Sequence, residues 1–216
     1  MANPSDREKV EKVLERLMLE ISQGLLCLYC AESVYEGSQR SPLMRQSWFF
    51  RTVQDATMRG AILALAKLTK KHKDSISVHY LFNLVDQNPR ALCSDSPDTL
   101  RECVADHRAT LDRFEGLIDS ACEYRDRVVA HLDRKHVTQP SDVFAHPKGV
   151  NLTELGECLG QVLSIVNHYA GYYDKQFSLD HLKSFISGDV DILVEWMREY
   201  GTPAQWVRPP TFETLA

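Results

Sequence analysis

Apolar side chains recur at helical spacing along almost the whole chain, and strand-like alternation bounded by turn residues does not appear. Val10, Val13, Leu14, Leu17, Met18 and Ile21 form a first stripe behind a Ser5 cap, with Glu8 as its capping-box partner. The stripe continues past Gly24 to about Tyr35. Ser41-Pro42 opens a second helix, since proline fits the first helical position. It runs through Trp48, Phe49, Val53, Ala56, Ile62, Leu63 and Leu65 to the basic end Lys67 to Lys73, where cations suit a helix C-terminus. A short third helix spans about Ser77 to Asp86 and stops at Asn88-Pro89. A fourth segment starts near Ser96-Pro97. It carries Leu100, Val104, Leu111, Phe114, Leu117 and Ile118 into a basic stretch that Pro140 ends at the latest. After a loop containing Pro147 and Gly149, Asn151 caps a fifth helix, with Glu154 as reciprocal partner, to about Phe177. A sixth lies between Asp180 and Tyr200, with Gly188 as a point of interruption, and Gly201 and Pro203 close it.

The short connections favour antiparallel neighbours. The expected fold is therefore all-α: an up-and-down helical bundle forming one domain over residues 1–200, with an extra C-terminal helix, followed by an irregular proline-containing tail over 201–216.

Composition narrows the function. The net charge of −5 argues against a general polyanion binder, so any nucleic-acid contact must be local. No apolar run approaches the roughly 18 to 20 residues that span a membrane, and the N-terminus lacks the apolar core of a signal peptide. A cytoplasmic location and no membrane partner are expected. The six cysteines, at 27, 30, 93, 103, 122 and 158, are scattered among apolar neighbours and read as free core thiols. Cys27 and Cys30 form a C-x-x-C without a partner pair, which favours packing over metal or redox use. His79 and His107 have no metal-ligand partner at standard spacing, and no metal or cofactor is expected. Three further groups take bland readings. The run K-K-H-K at 70–73 is read as a solvated helix end. Trp48-Phe49-Phe50 is read as core or dimer interface. His168, Tyr169, Tyr172 and Tyr173 are read as packing, in preference to a base-stacking surface.

One stretch suggests chemistry. Tyr124 to His136 reads Y-R-D-R-V-V-A-H-L-D-R-K-H, with three arginines, a lysine and two histidines among thirteen residues. At about 100° per residue, Arg125 falls near the middle of the stripe made by Phe114, Ile118, Ala121, Cys122, Val129 and Leu132. A guanidinium there must be paired or face a solvated cleft. So either the helix breaks, or this face meets something other than the chain's own core. The spacing of an arginine and a following histidine is weak by itself, because Arg101 to His107 repeats the spacing of Arg125 to His131. The surrounding residues distinguish the second pair: Asp126 after the arginine, Ala130 before the histidine, Asp133 two residues after it.

These residues resemble the Arg-(Asn/Asp)-Lys/Arg-x-x-Ala-His-x-Asp signature of the HEPN superfamily, and of its Abi-U (abortive infection) branch in particular. The preceding L-A-L-A-K-L-T-K-K-H-K-D-S-I-S-V-H-Y-L is also similar to that branch. The resemblance implies an all-α bundle of the HEPN type, commonly dimeric. It also implies a metal-independent endoribonuclease of a phage-defence or toxin–antitoxin type, acting on RNA with an antitoxin protein as a further partner. Arg125 and His131 match the catalytic pair. Asp126, Arg127 and Asp133 occupy supporting positions, and Arg134, Lys135 and His136 are candidates for RNA binding. Members regulated through a nucleotidyltransferase partner carry tyrosine where this chain has Asp133, which argues against that mode of control. Some members are non-catalytic binding or scaffold modules, and this is the alternative.

The chemistry is coherent on its own terms. Histidine titrates near neutrality and can move protons, and arginine offers a planar, permanently charged fork to phosphate oxygens. On a straight helix Arg125 and His131 lie about 240° apart and share no face, whereas Arg127 and His131 do. A helix break, or a two-fold interface bringing Arg125 of one copy to His131 of the other, would reconcile them.

Overall fold

In the computed structural model, residues 4–72, 75–92, 97–130, 150–175 and 178–200 are described. Eight α-helices account for nearly all of them: α1 (Pro4–Arg40), α2 (Pro42–Gln46), α3 (Trp48–Leu68), α4 (Val78–Gln87), α5 (Pro97–Asp112), α6 (Glu115–Ala130), α7 (Leu152–Gly171) and α8 (Asp180–Tyr200). No strand occurs among the described residues. The chain is all-α, as its periodicity predicts.

The organising element is α1, which packs on α3, α7 and α8. Leu17, Ile21, Leu28, Ile62, Leu65, Phe82, Leu159, Val162 and Tyr169 are all buried in one cluster built from α1, α3, α4 and α7. A smaller cluster joins Val34 and Met44 to Val190, Val194 and Met197 of α8. The α1–α3 crossing is close because glycine stands on each helix there. A Cβ at Gly24 would lie 2.9 Å from the Ala64 Cβ, and one at Gly60 would lie 2.7 Å from the Cys27 Sγ. Cys27 is thus part of helix packing, and burial pushes the thiols of Cys27 and Cys30 up, away from the thiolate form that metals and disulfide exchange require.

One helix, α1, is long and apolar. By length and composition the helix could cross a membrane, although its apolar positions do not form one unbroken run. More than half of the stretch concerned is buried inside the protein, where α1 packs on α3, α7 and α8.

The starts at Ser41-Pro42, Ser77, Pro97, Asn151 and Asp180 are as expected. The Ser77 side chain accepts from Tyr80 N–H, and Asn151 accepts from Glu154 N–H while its own amide donates to the Glu154 carboxylate. Four boundaries differ. The first helix continues to Arg40. The second is interrupted at Ser47, whose backbone N–H donates to Leu43 and Met44 carbonyls, so that α2 turns Met44 into the small cluster. The fourth is interrupted at Arg113-Phe114, because α5 packs on α4 and α7 while α6 packs on α3. The fifth helix ends at Gly171 rather than about Phe177. Asp174 there takes a left-handed φ of 57°, and Lys175 N–H closes on the Ala170 carbonyl at 3.1 Å. By contrast α8 runs unbroken through Gly188.

Candidate functional site

The apolar face of α6 decides where the motif goes. Leu117, Ile118, Ala121 and Tyr124 are buried against the main cluster, chiefly on α3. Arg125 lies one turn beyond Ala121 on the same face and one turn beyond Cys122, and its side chain is only 15 % exposed. It is accommodated because α6 passes the C-terminal end of α3, where the last carbonyls lack helical partners. Arg125 Nη1 donates to the Ala66 carbonyl at 3.4 Å, and Cys122 Sγ lies 3.9 Å from the same oxygen. The negative end of the α3 dipole adds to that attraction. Asp126 completes the setting: its Oδ1 accepts from Arg125 Nε at 2.9 Å and from Nη2 at 2.6 Å. The face carrying Arg125 therefore meets the chain's own core, at a place where that core offers a bare carbonyl.

A guanidinium has five N–H bonds. Among the described residues three are used, two by Asp126 and one by Ala66, and one on each terminal nitrogen has no partner there. Asp126 itself is 68 % exposed, so the pair stands at the edge of the protein rather than inside it.

Arg127 points elsewhere. Its Nε lies 3.8 Å from the Glu123 carboxylate, and with Arg59 and Asp55 it makes up the charged surroundings of the buried Tyr124. Burial pushes the Tyr124 phenol up, the two arginines partly oppose this, and Asp55 adds to it. Arg125 and Arg127 are thus not brought together. His131, Asp133, Arg134, Lys135 and His136 lie outside the described residues, as do the side chains of Val128, Val129 and Ala130.

A cavity of about 120 Å³ opens beside Cys122, lined by Thr69, Lys71, His79 and Asp119 among others. His79 is the member that no sequence pattern announced. Its Nε2 is buried without a hydrogen-bond partner. Burial depresses its pKa, Lys71 and Arg108 add to the effect, and Asp112 opposes it. These groups come from separate elements, so only the fold assembles them. Of the aromatic group on α7, Tyr169 is fully buried, and its hydroxyl lies 3.0 Å from His107 Nδ1.

The helical architecture and the arginine motif on α6 define an all-α domain of the HEPN class. Residues 7–193 match the family HEPN_AbiU2, described as AbiU2. The match covers most of the chain, and the chain belongs to that family. Neither the curated proteins nor the solved structures yielded a match.

Proposed function

We propose that this protein is an endoribonuclease of abortive-infection defence, working without a metal ion as a homodimer in the cytoplasm, with an antitoxin protein as its restraint. The observation that carries the reading is the state of Arg125. Its guanidinium is fixed by Asp126 and the Ala66 carbonyl, at the protein's edge, and among the described residues an N–H on each terminal nitrogen has no partner. Such a group is preorganised for the oxygens of a phosphodiester and needs no reorganisation as charge grows on them. His131 supplies proton transfer in this scheme. It takes the proton of the RNA 2′-hydroxyl as that oxygen bonds to phosphorus. The bond from phosphorus to the 5′-oxygen breaks, and the departing oxygen takes up a proton. The products are a 2′,3′-cyclic phosphate and a 5′-hydroxyl end. Arg134, Lys135 and His136 follow directly and would hold flanking phosphates.

Support for a second copy comes from α8 and the start of α3. Phe185, Ile192 and Trp196 lie along one exposed stripe of α8, with Leu193 beside it. Trp48 and Phe49 are exposed as well, at 66 % and 65 %, so the core reading fails for these two while Phe50 packs on the small cluster. Exposed large apolar side chains of this kind are what the core of an interface buries.

Arg125 as a structural strut in a non-catalytic module is the second reading, favoured by the same contacts to Asp126 and Ala66. One experiment separates them. Purified protein is incubated in EDTA with an oligoribonucleotide, beside His131→Ala, and the ends of the fragments are mapped. Cyclic phosphate ends, no cleavage where the attacking ribose carries a 2′-O-methyl group, and a rate lowered about 10²- to 10⁴-fold in the variant are expected. Equal activity in the variant, or activity that requires added Mg²⁺, refutes the mechanism.

A further inference from the structure

A second cavity, of about 570 Å³, opens where the N-terminal part of α1, the segment after α3, α4 and α5 meet. Lys9, Lys71, His72, His79 and Arg108 line it together with the amides of Asn83 and Gln87. Among the described residues that line it, none is a carboxylate. In a chain with 30 acidic and 25 basic side chains, that segregation runs against composition.

The cations are also arranged rather than merely present. Arg108 Nη2 donates to Asn83 Oδ1 at 3.1 Å and lies 2.9 Å from Asp86 Oδ2, and its guanidinium lies over the Phe82 ring at 5.6 Å. Both polar contacts use the same nitrogen, so Asp86 holds one side of the guanidinium and Nη1 makes no hydrogen bond among the described residues. The Lys9 ammonium lies 5.9 Å from the centre of the Tyr80 ring on the opposite wall. Lys71 is exposed at the rim. The floor holds His79 Nε2, buried and without a hydrogen-bond partner. Lysines, a held guanidinium and amide N–H groups around a cavity of this size are the donor set of a phosphate site.

The cleft also has a boundary on one side. It shares Lys71 and His79 with the smaller cavity beside Cys122, and Cys122 shares the Ala66 carbonyl with Arg125. Asp112, Glu115 and Asp119 line that smaller cavity and repel phosphates from it, which confines phosphate contacts to the wider cleft. We propose that the cleft bounded by Lys9, Lys71 and Arg108 is a phosphate-binding subsite for a single RNA strand, lying outside the motif. That the strand is a substrate rests on the ribonuclease reading; that the cleft binds its phosphates does not.

The test measures binding without turnover. A fluorescein-labelled, fully 2′-O-methylated oligoribonucleotide of about fifteen residues is titrated with wild-type protein and with Lys9→Glu/Lys71→Glu, and fluorescence anisotropy is read across a salt series. Both lysines are exposed, so the fold is retained, and thermal denaturation checks this. The dissociation constant should rise about 10- to 100-fold at low salt, and the salt slope should fall by about 1.4, the share of two phosphate contacts on a single strand. The neutral pair Lys9→Gln/Lys71→Gln should show the same loss of slope with a smaller change in affinity. Arg51→Glu/Lys183→Glu changes the net charge equally, away from the cleft. Unchanged binding in the cleft variants, an equal loss in that control, or competition by AMP at the affinity of the oligomer overturns the proposal. If the wild-type protein leaves unmodified RNA intact while the cleft variants still lose affinity, the nuclease reading falls and the subsite stands. If the wild-type protein cleaves while the cleft variants bind as tightly as it does, the subsite falls and the nuclease reading stands.

Discussion

Replacing Arg125 by lysine keeps the charge and removes the fork, and the contacts around it say how far stability and chemistry should separate. The pair with Asp126 is made to a carboxylate 68 % exposed, so solvent screens it and it contributes less than about 1 kcal/mol. The bond to the Ala66 carbonyl is long, at 3.4 Å, and belongs at the low end of a net hydrogen-bond contribution, about 0.5 kcal/mol. A lysine keeps the attraction to the α3 C-terminus, about 0.3–1 kcal/mol. Arg125→Lys should therefore cost about 1 kcal/mol, which in a chain of this size lowers Tm by roughly 2–4 °C. If the guanidinium holds the phosphodiester, losing its fork should lower the cleavage rate about 10²- to 10³-fold. Differential scanning fluorimetry and single-turnover cleavage at about 25 °C, on one preparation, read both. A variant that cleaves within a few-fold of wild type while its Tm falls by about 8 °C or more, twice the expected shift, would refute the assignment. Arg125 would then be a strut between α6 and α3.

Three other outcomes are expected. Gly60→Ala drives a Cβ to 2.7 Å from Cys27 Sγ; the overpacking of about 1–3 kcal/mol should outweigh the helix preference of alanine, about 1 kcal/mol, and Cys27→Ala in the same chain should recover the loss in a urea-denaturation cycle. Burial, then His168, depresses the pKa of His107 against Asp106, and His79 is depressed by burial, Lys71 and Arg108. The unfolded chain therefore binds more protons than the native one as pH falls through the unfolded histidine range near 6.5. Unfolding free energy should drop from pH 7 to pH 5, less steeply in His79→Gln/His107→Gln, and a flat profile would contradict this. Burial, with Glu154 adding to it, pushes the Cys158 thiol up to about 12, so it should resist iodoacetamide at pH 8 in native protein and react promptly in urea, as read by mass spectrometry.

What is legible in the sequence follows the range of the interactions involved. Ser77 and Asn151 announce their helices because a cap is complete within four residues. The break at Arg113-Phe114 has no such mark. No proline stands there, and the apolar stripe from Leu111 through Phe114 to Ile118 runs across it, so only the competing demands of α4, α7 and α3 reveal it. Trp48 and Phe49 read as core or dimer interface by residue type, and it takes the new helix that Ser47 starts to show that both turn outward. At the motif, periodicity correctly places Arg125 on the buried face but takes that face to be apolar throughout. The exposed carbonyl end of α3 lies 59 residues away in sequence. The cleft around Lys71 and Arg108 is illegible for the same reason, and a local reading of K-K-H-K finds only a solvated helix end.

The break before α6 has a mechanical consequence. Among the described residues, α6 leans almost wholly on α3, while α5 is tied to α4 and α7. Its attachment is a few apolar side chains, Leu117, Ile118, Ala121 and Tyr124, and the Arg125 contact at the far end. A segment attached along one side is expected to lift from the bundle at a free energy below that of global unfolding. Amide exchange along α6 should therefore outrun that of α1, and a partner that clamps or releases this one helix would govern the motif without touching the rest of the protein.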